Sequence, residues 1–159
     1  MLKHFALLIS VSLLTACMSA TDNAAINGAV SEFHDRQARG DDAAIYQAAT
    51  PDLRAAATLQ DLTRLNGAVR AIQGCSAVGA NPDGFNNAMN TSGHFITVTY
   101  NRQCTGGPLV ETFVFRIAGA HALLQSYNAS GMALFPAAPA TAQAPAPDTA
   151  TTDAKPAAP

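Results

Sequence analysis

The sequence predicts an α+β domain in which N-terminal helices pack on a curved four-stranded antiparallel sheet. Three observations predict it. Apolar side chains recur at helical spacing between Ile26 and Leu65, the pattern becomes alternating from His94 onward, and glycine-containing turns separate the alternating runs closely enough for antiparallel neighbours. Helices first and strands afterwards, without interleaving, give segregated layers and not a parallel sheet.

The first helix follows from Ile26, Val30 and Phe33, with Ala29 beside them, at i, i+4 and i+7. Gly40 ends it, after Arg36 and Arg39 in the final turns, where cations suit the helix dipole. Asp41 and Asp42 are expected to cap a short second helix through Ile45 and Tyr46. Thr50 before Pro51 sets a cap ahead of a proline at the first helical position. Thr58 with Asp61 starts a further helix through Leu59, Leu62 and Leu65, which Asn66-Gly67 is expected to stop.

Residues 94–102 and 109–117 are rich in Thr, Val, Ile, Tyr and Phe and read as strands. The turn at Thr105-Gly106-Gly107-Pro108 predicts a hairpin pairing Ile96 with Ile117, Val98 with Phe115, Tyr100 with Phe113 and Arg102 with Glu111. Gly119-Ala120 leads into a last strand, residues 121–129. Residues 71–78 form a weaker first strand, and residues 81–92 read as a long polar loop.

Composition bounds the function. The 159 residues are 48% hydrophobic, 13% charged and 6% aromatic, enough for one small domain with a modest, alanine-rich core. A formal charge of −2 removes the basic footprint of a nucleic-acid binder.

At the N-terminus, Lys3 and His4 precede a run of twelve residues, Phe5 to Ala16, without a charge. A membrane span needs about 20 apolar residues, so this length suits a secretory h-region. Its end, Leu14-Thr15-Ala16-Cys17, resembles the lipobox of bacterial lipoproteins. That resemblance implies diacylglyceryl attachment to Cys17 and cleavage after Ala16, two acyl chains being what stable anchoring requires. With Met18 where an aspartate favours inner-membrane retention, it also implies an anchor in the outer membrane, facing the periplasm. Residues 1–16 are then a signal peptide, 17–21 the lipidated N-terminus and linker, 22–134 the domain and 135–159 a tail. From Pro136 the tail holds six of the nine prolines and ten alanines, a composition that cannot build a core and favours disorder.

The element order, with the phrase Ile45-Tyr46-Gln47-Ala48-Ala49-Thr50-Pro51-Asp52-Leu53-Arg54 between helices, is similar to the cone-shaped domains of the nuclear-transport-factor-two and cystatin-like superfamily. The resemblance implies a curled sheet around the helices. Such domains host activities from steroid isomerisation to plain dimerisation, so fold alone selects none.

Cys75 and Cys104 remain once Cys17 is committed to lipid, and an oxidising compartment favours a disulfide between them. Independent buried thiols or a redox pair are the alternatives, the latter without a CxxC motif. His34, His94 and His121 have no ligand spacing, so no metal is expected, and they read as surface or rim residues. No nucleophile motif or phosphate loop points to a cofactor or a catalytic residue.

One constellation carries possible chemistry, a sheet face with Tyr100, Arg102, Glu111 and Phe113, joined by Tyr127 or Asn128 from the last strand. A desolvated Glu111 beside a tyrosine would suit proton transfer in a small-molecule pocket. The simpler reading makes Glu111 an exposed partner of Arg102 at the open end of the sheet, worth a few tenths of a kcal/mol, with the aromatics as core. The preferred function is a non-enzymatic interaction or dimerisation module working through the open sheet face. A small-molecule binder or isomerase-like enzyme is the alternative.

Overall fold

The computed structural model of the protein describes residues 20–135. The expected signal peptide 1–16, the expected lipidation at Cys17 and the expected tail from residue 136 lie outside the described residues. Helices α1 (Ala20–Arg39), α2 (Asp42–Ala48), α3 (Pro51–Ala56) and α4 (Leu59–Arg70) precede strands β1 (Gly84–Asn90), β2 (Gly93–Cys104), β3 (Gly107–Ala118) and β4 (His121–Ser130). A single 3-10 turn, Met132–Leu134, follows. The class is α+β as the sequence predicts, with an open, curved antiparallel sheet in the order β1-β2-β3-β4.

Two helix starts are local devices. Thr50 accepts a hydrogen bond from Leu53 N at 3.2 Å, and Thr58 and Asp61 form a reciprocal capping box. Asp41 stands at the N-cap of α2 but makes no side-chain cap bond; its carboxylate accepts from Arg39 Nε at 3.0 Å instead. Nor does Asn66-Gly67 end α4, which runs on to Arg70. Asn66 is completely buried and bonded on both sides of its amide, so tertiary contacts override a local stop signal.

The hairpin register is displaced by two residues from the expected one. Ile96 faces Phe115, Val98 faces Phe113, Tyr100 faces Glu111 and Arg102 faces Leu109. The chain reverses over Thr105-Gly106 alone, with Cys104 opposite Gly107. Gly107 takes φ +116°, a conformation that side-chain-bearing residues rarely adopt. A shift of two returns every side chain to its original face, so the expected core set survives the error.

The first strand lies elsewhere than expected. Residues 71–83 form no strand, and β1 comes from the polar stretch taken for a loop, pairing Gly84 with Thr99 through Asn90 with Gly93. This segment, GFNNAMN, has no β-branched residue; it is extended because β2 offers it a ladder of backbone partners. The segment before it is tied to the end of β2 by Ser76 N to Gln103 O at 2.7 Å and Thr105 N to Gln73 O at 3.1 Å. There Cys75 and Cys104 have their Sγ atoms at bonding distance, 2.03 Å, across a separation of 29 residues.

Ile26, Val30 and Phe33 of α1, Ile45 of α2, Leu53 of α3 and Leu62 of α4 pack on one face of the sheet, against Ile96, Val98, Tyr100, Phe113, Phe115 and Leu124. Val69, Leu109 and Ala133 make a smaller cluster beside the disulfide.

Candidate functional site

Strand alternation turns Tyr100, Arg102, Glu111, Phe113 and Tyr127 toward the helices, so the sheet does present the predicted residues together. Phe113 is the hub of the aromatic packing, with ring centroids 4.9 Å from Tyr127, 5.1 Å from Phe33 and 6.1 Å from Tyr100. Above it lies Glu111.

The expectation of an exposed Glu111 is overturned: its exposure is 0%. It does meet Arg102, which donates from Nη1 at 3.1 Å, but two further donors converge on the other oxygen. Tyr127 donates at 2.8 Å and His34 Nε2 at 3.2 Å. Register explains the burial. Sitting opposite Tyr100 and not Arg102, Glu111 lies two pairs deeper in the sheet than expected, beneath α1.

Glu111 belongs to a longer chain of bonds. Gln37 Nε2 donates to Tyr127 Oη at 3.2 Å and to Asn66 Oδ1 at 3.0 Å. Asn66 Nδ2 donates to Asp42 at 2.8 Å, and Arg70 grips both Asp42 oxygens at 2.9 and 3.1 Å. The network therefore spans β2, β3 and β4 and α1, α2 and α4, with the Gln37 side chain joining its Glu111 end to its Asp42 end. Each buried polar group in it has a partner, which burial demands.

The electrostatics follow. Burial alone pushes the Glu111 carboxyl up, but the bonds and charge from His34 and the bonds from Tyr127 and Arg102 outweigh it and hold it below its ordinary value. Asp42 behaves alike, burial being outweighed by the bonds from Arg70 and Asn66 and by the Arg70 charge. Tyr127 is pushed far up by burial and by the Glu111 charge, so its hydroxyl stays protonated. A general base near neutrality needs a raised carboxyl with a free lone pair aimed at substrate. Glu111 is instead lowered, and three donors already hold its two oxygens in a site closed to solvent, an arrangement suited to fixing a charge in place.

The sequence reading missed His34, Gln37, Asp42, Asn66 and Arg70. His34 is no rim residue, its side chain being 18% exposed and bonded to Glu111. A signal existed: Gln37 continues the Ile26-Val30-Phe33 stripe, and Asn66 lies between the buried Leu62 and Val69 on the face of α4. A polar residue at a core position calls for a buried polar partner.

Beside this network α1 and the 72–80 segment enclose two adjoining open cavities, of about 600 and 370 Å³, which share His34 and Val78 as walls. Among the described residues no cluster of His, Cys, Asp and Glu is placed to hold a metal ion, and no helix is long and apolar enough to cross a membrane. A scan against protein-family models and a search of the curated proteins return no match to this chain.

Proposed function

We propose that the chain is a lipid-anchored envelope protein whose domain is a non-catalytic association module, meeting a second copy of itself through the uncovered face of its sheet. The observation that carries the reading is that face. Phe95, Thr97 and Thr99 of β2, Val110, Thr112 and Val114 of β3 and Leu123 of β4 point away from the helices, alongside the uncharged Asn101, Gln103, Ser126 and Asn128, and none of them belongs to the core packed under the helices. Arg116 is the one charged residue of these three strands that points the same way. Solvated sheet faces are ordinarily patterned with charge, whereas a nearly uncharged face of Thr, Val, Phe and amide side chains can stack on its own kind at about 10 Å.

The absence of a charge pattern favours a second copy over a charged partner, since a single cation gives an oppositely charged surface little to grip. The anchor expected from Leu14-Thr15-Ala16-Cys17 supports the same reading, because confining both copies to one membrane raises their effective concentration. The expected likeness to cone-shaped cystatin-like domains fits, though it selects no activity.

Sedimentation velocity on the full chain tests the association. Val114→Lys, an outward and half-buried position, should shift a dimer to monomer without loss of the folded signal. A wild-type monomer at the highest concentrations reached, or a dimer indifferent to the lysine, would refute it. The anchor is tested separately: Cys17→Ser should abolish incorporation of a fatty-acid analogue and leave uncleaved precursor in a bacterial host, and normal processing of that variant would remove it.

A further inference from the structure

The larger cavity is lined by two arginines, Arg70 and Arg102, with His34, Val69, Ile72 and Val78, and no acidic side chain lines it. The matching carboxylates stand behind the arginines. Asp42, 5% exposed, grips Arg70 with both oxygens, and Glu111, 0% exposed, holds Arg102. Two buried acids thus fix two guanidinium groups from the protein side.

Neither guanidinium is used up. Arg102 spends Nη1 on Glu111 and Nε on the Ser76 carbonyl, while Arg70 spends its two terminal nitrogens on Asp42 and on the Gln37 carbonyl. Arg102 Nη2 and Arg70 Nε make no hydrogen bond among the described residues, and each residue borders the cavity. The adjoining cavity adds Tyr100, a residue 2% exposed whose hydroxyl has no hydrogen-bond partner among the described residues. Its one acidic wall residue, Asp35, is exposed, which assigns an anionic group to the larger cavity.

We propose that this cleft binds a small organic anion, whose carboxylate or phosphate oxygens meet Arg102 and Arg70 while its apolar part lies on Ile72 and Val78. Fixed cationic donors with residual N–H groups are what such oxygens need, and a guanidinium suits both anions. The volume is that of ordinary small-molecule sites. The Cys75–Cys104 pair and the Ser76 bonds pin the wall that carries Val78 against β2. This site lies on the helix side of the sheet, so its fate is independent of association through the outward face.

Nuclear magnetic resonance titration of the full chain with benzoate, phenyl phosphate and benzyl alcohol tests it. Benzoate or phenyl phosphate should move the signals of residues 34, 70, 72, 78 and 102 in a saturable way, the tighter of the two naming the anion, and benzyl alcohol should not. Ala38→Glu places a carboxylate at an exposed α1 position on the cavity wall, leaves both buried ion pairs intact, and should weaken binding by about tenfold or more without lowering the melting temperature. Three results overturn the proposal: no saturable shift by either anion up to about 10 mM, where affinity would be negligible; an equal response to benzyl alcohol; or unchanged affinity in Ala38→Glu.

Discussion

Two buried carboxylates, Glu111 in the sheet and Asp42 at the start of α2, look alike and are held differently. Each faces an arginine, and each is lowered because hydrogen bonds outweigh burial. Glu111 draws three donors from three separate elements, α1, β2 and β4, and has no exposed surface. Asp42 takes its donors from α4 alone, through Asn66 and an Arg70 whose side chain is 28% exposed. Glu111 therefore knits the sheet to the first helix, whereas Asp42 clips two neighbouring helices together. The difference teaches that a buried charge counts by the number of elements it ties and by how little water can replace its partners.

The largest expected effect comes from breaking the deeper site. Glu111→Ala strands Arg102 and His34 and should cost about 3 to 5 kcal/mol in urea unfolding, enough to unfold a small domain. A loss below about 1 kcal/mol would return Glu111 to the status of a surface pair. Next comes the link beside it. Replacing Cys75 and Cys104 together by serine opens a closure of 29 residues and should cost about 3.5 kcal/mol in the chain-entropy treatment, read from the same unfolding curves under oxidising conditions.

Asp42→Asn keeps the shape of the shallower site and removes only its charge. The expected loss is about 1 to 3 kcal/mol, clearly smaller than for Glu111→Ala, and equal losses would dissolve the distinction. Acid sharpens it further. Both carboxyls lie lower in the folded chain than in the unfolded one, so the unfolded state takes up protons first as pH falls. Their stabilisation is complete above the ordinary carboxylate range and is lost as pH falls through the depressed folded values. Melting temperatures measured from pH 7 to pH 2 should fall for the wild type and show a shallower acid limb in Asp42→Asn.

The smallest effect tests the rule that partners matter. Gln125 Oε1, beside the irregular pairing at Val114 and Phe115, is the one buried side-chain polar atom among the described residues without a partner. Gln125→Met should be neutral or stabilising by up to about 1 kcal/mol, since no bond is lost with the carbonyl. A marked destabilisation would show that the amide does something else.

Much of the outline was legible in the residues themselves. Thr50-Pro51 and Thr58 with Asp61 start helices by bonds within one turn, and the alternation in β2 and β3 chooses a buried face whatever the register. What failed were features decided at a distance. The strand state of β1 depends on the free edge of β2, the length of α4 on Gln37 and Asp42 across the interior, and the register on a two-residue turn read as four.

The candidate site divides along the same line. Pattern alone placed Tyr100, Arg102, Glu111 and Phe113 on one face, because a period of two needs no knowledge of the neighbouring layer, whereas Tyr127 joins them only through the irregular pairing at Val114 and Phe115. Whether Glu111 was wet or dry was settled only when α1 brought His34 and Gln37 over it. A carboxylate's environment is a property of every element that surrounds it, and those elements are up to 77 residues away in the chain.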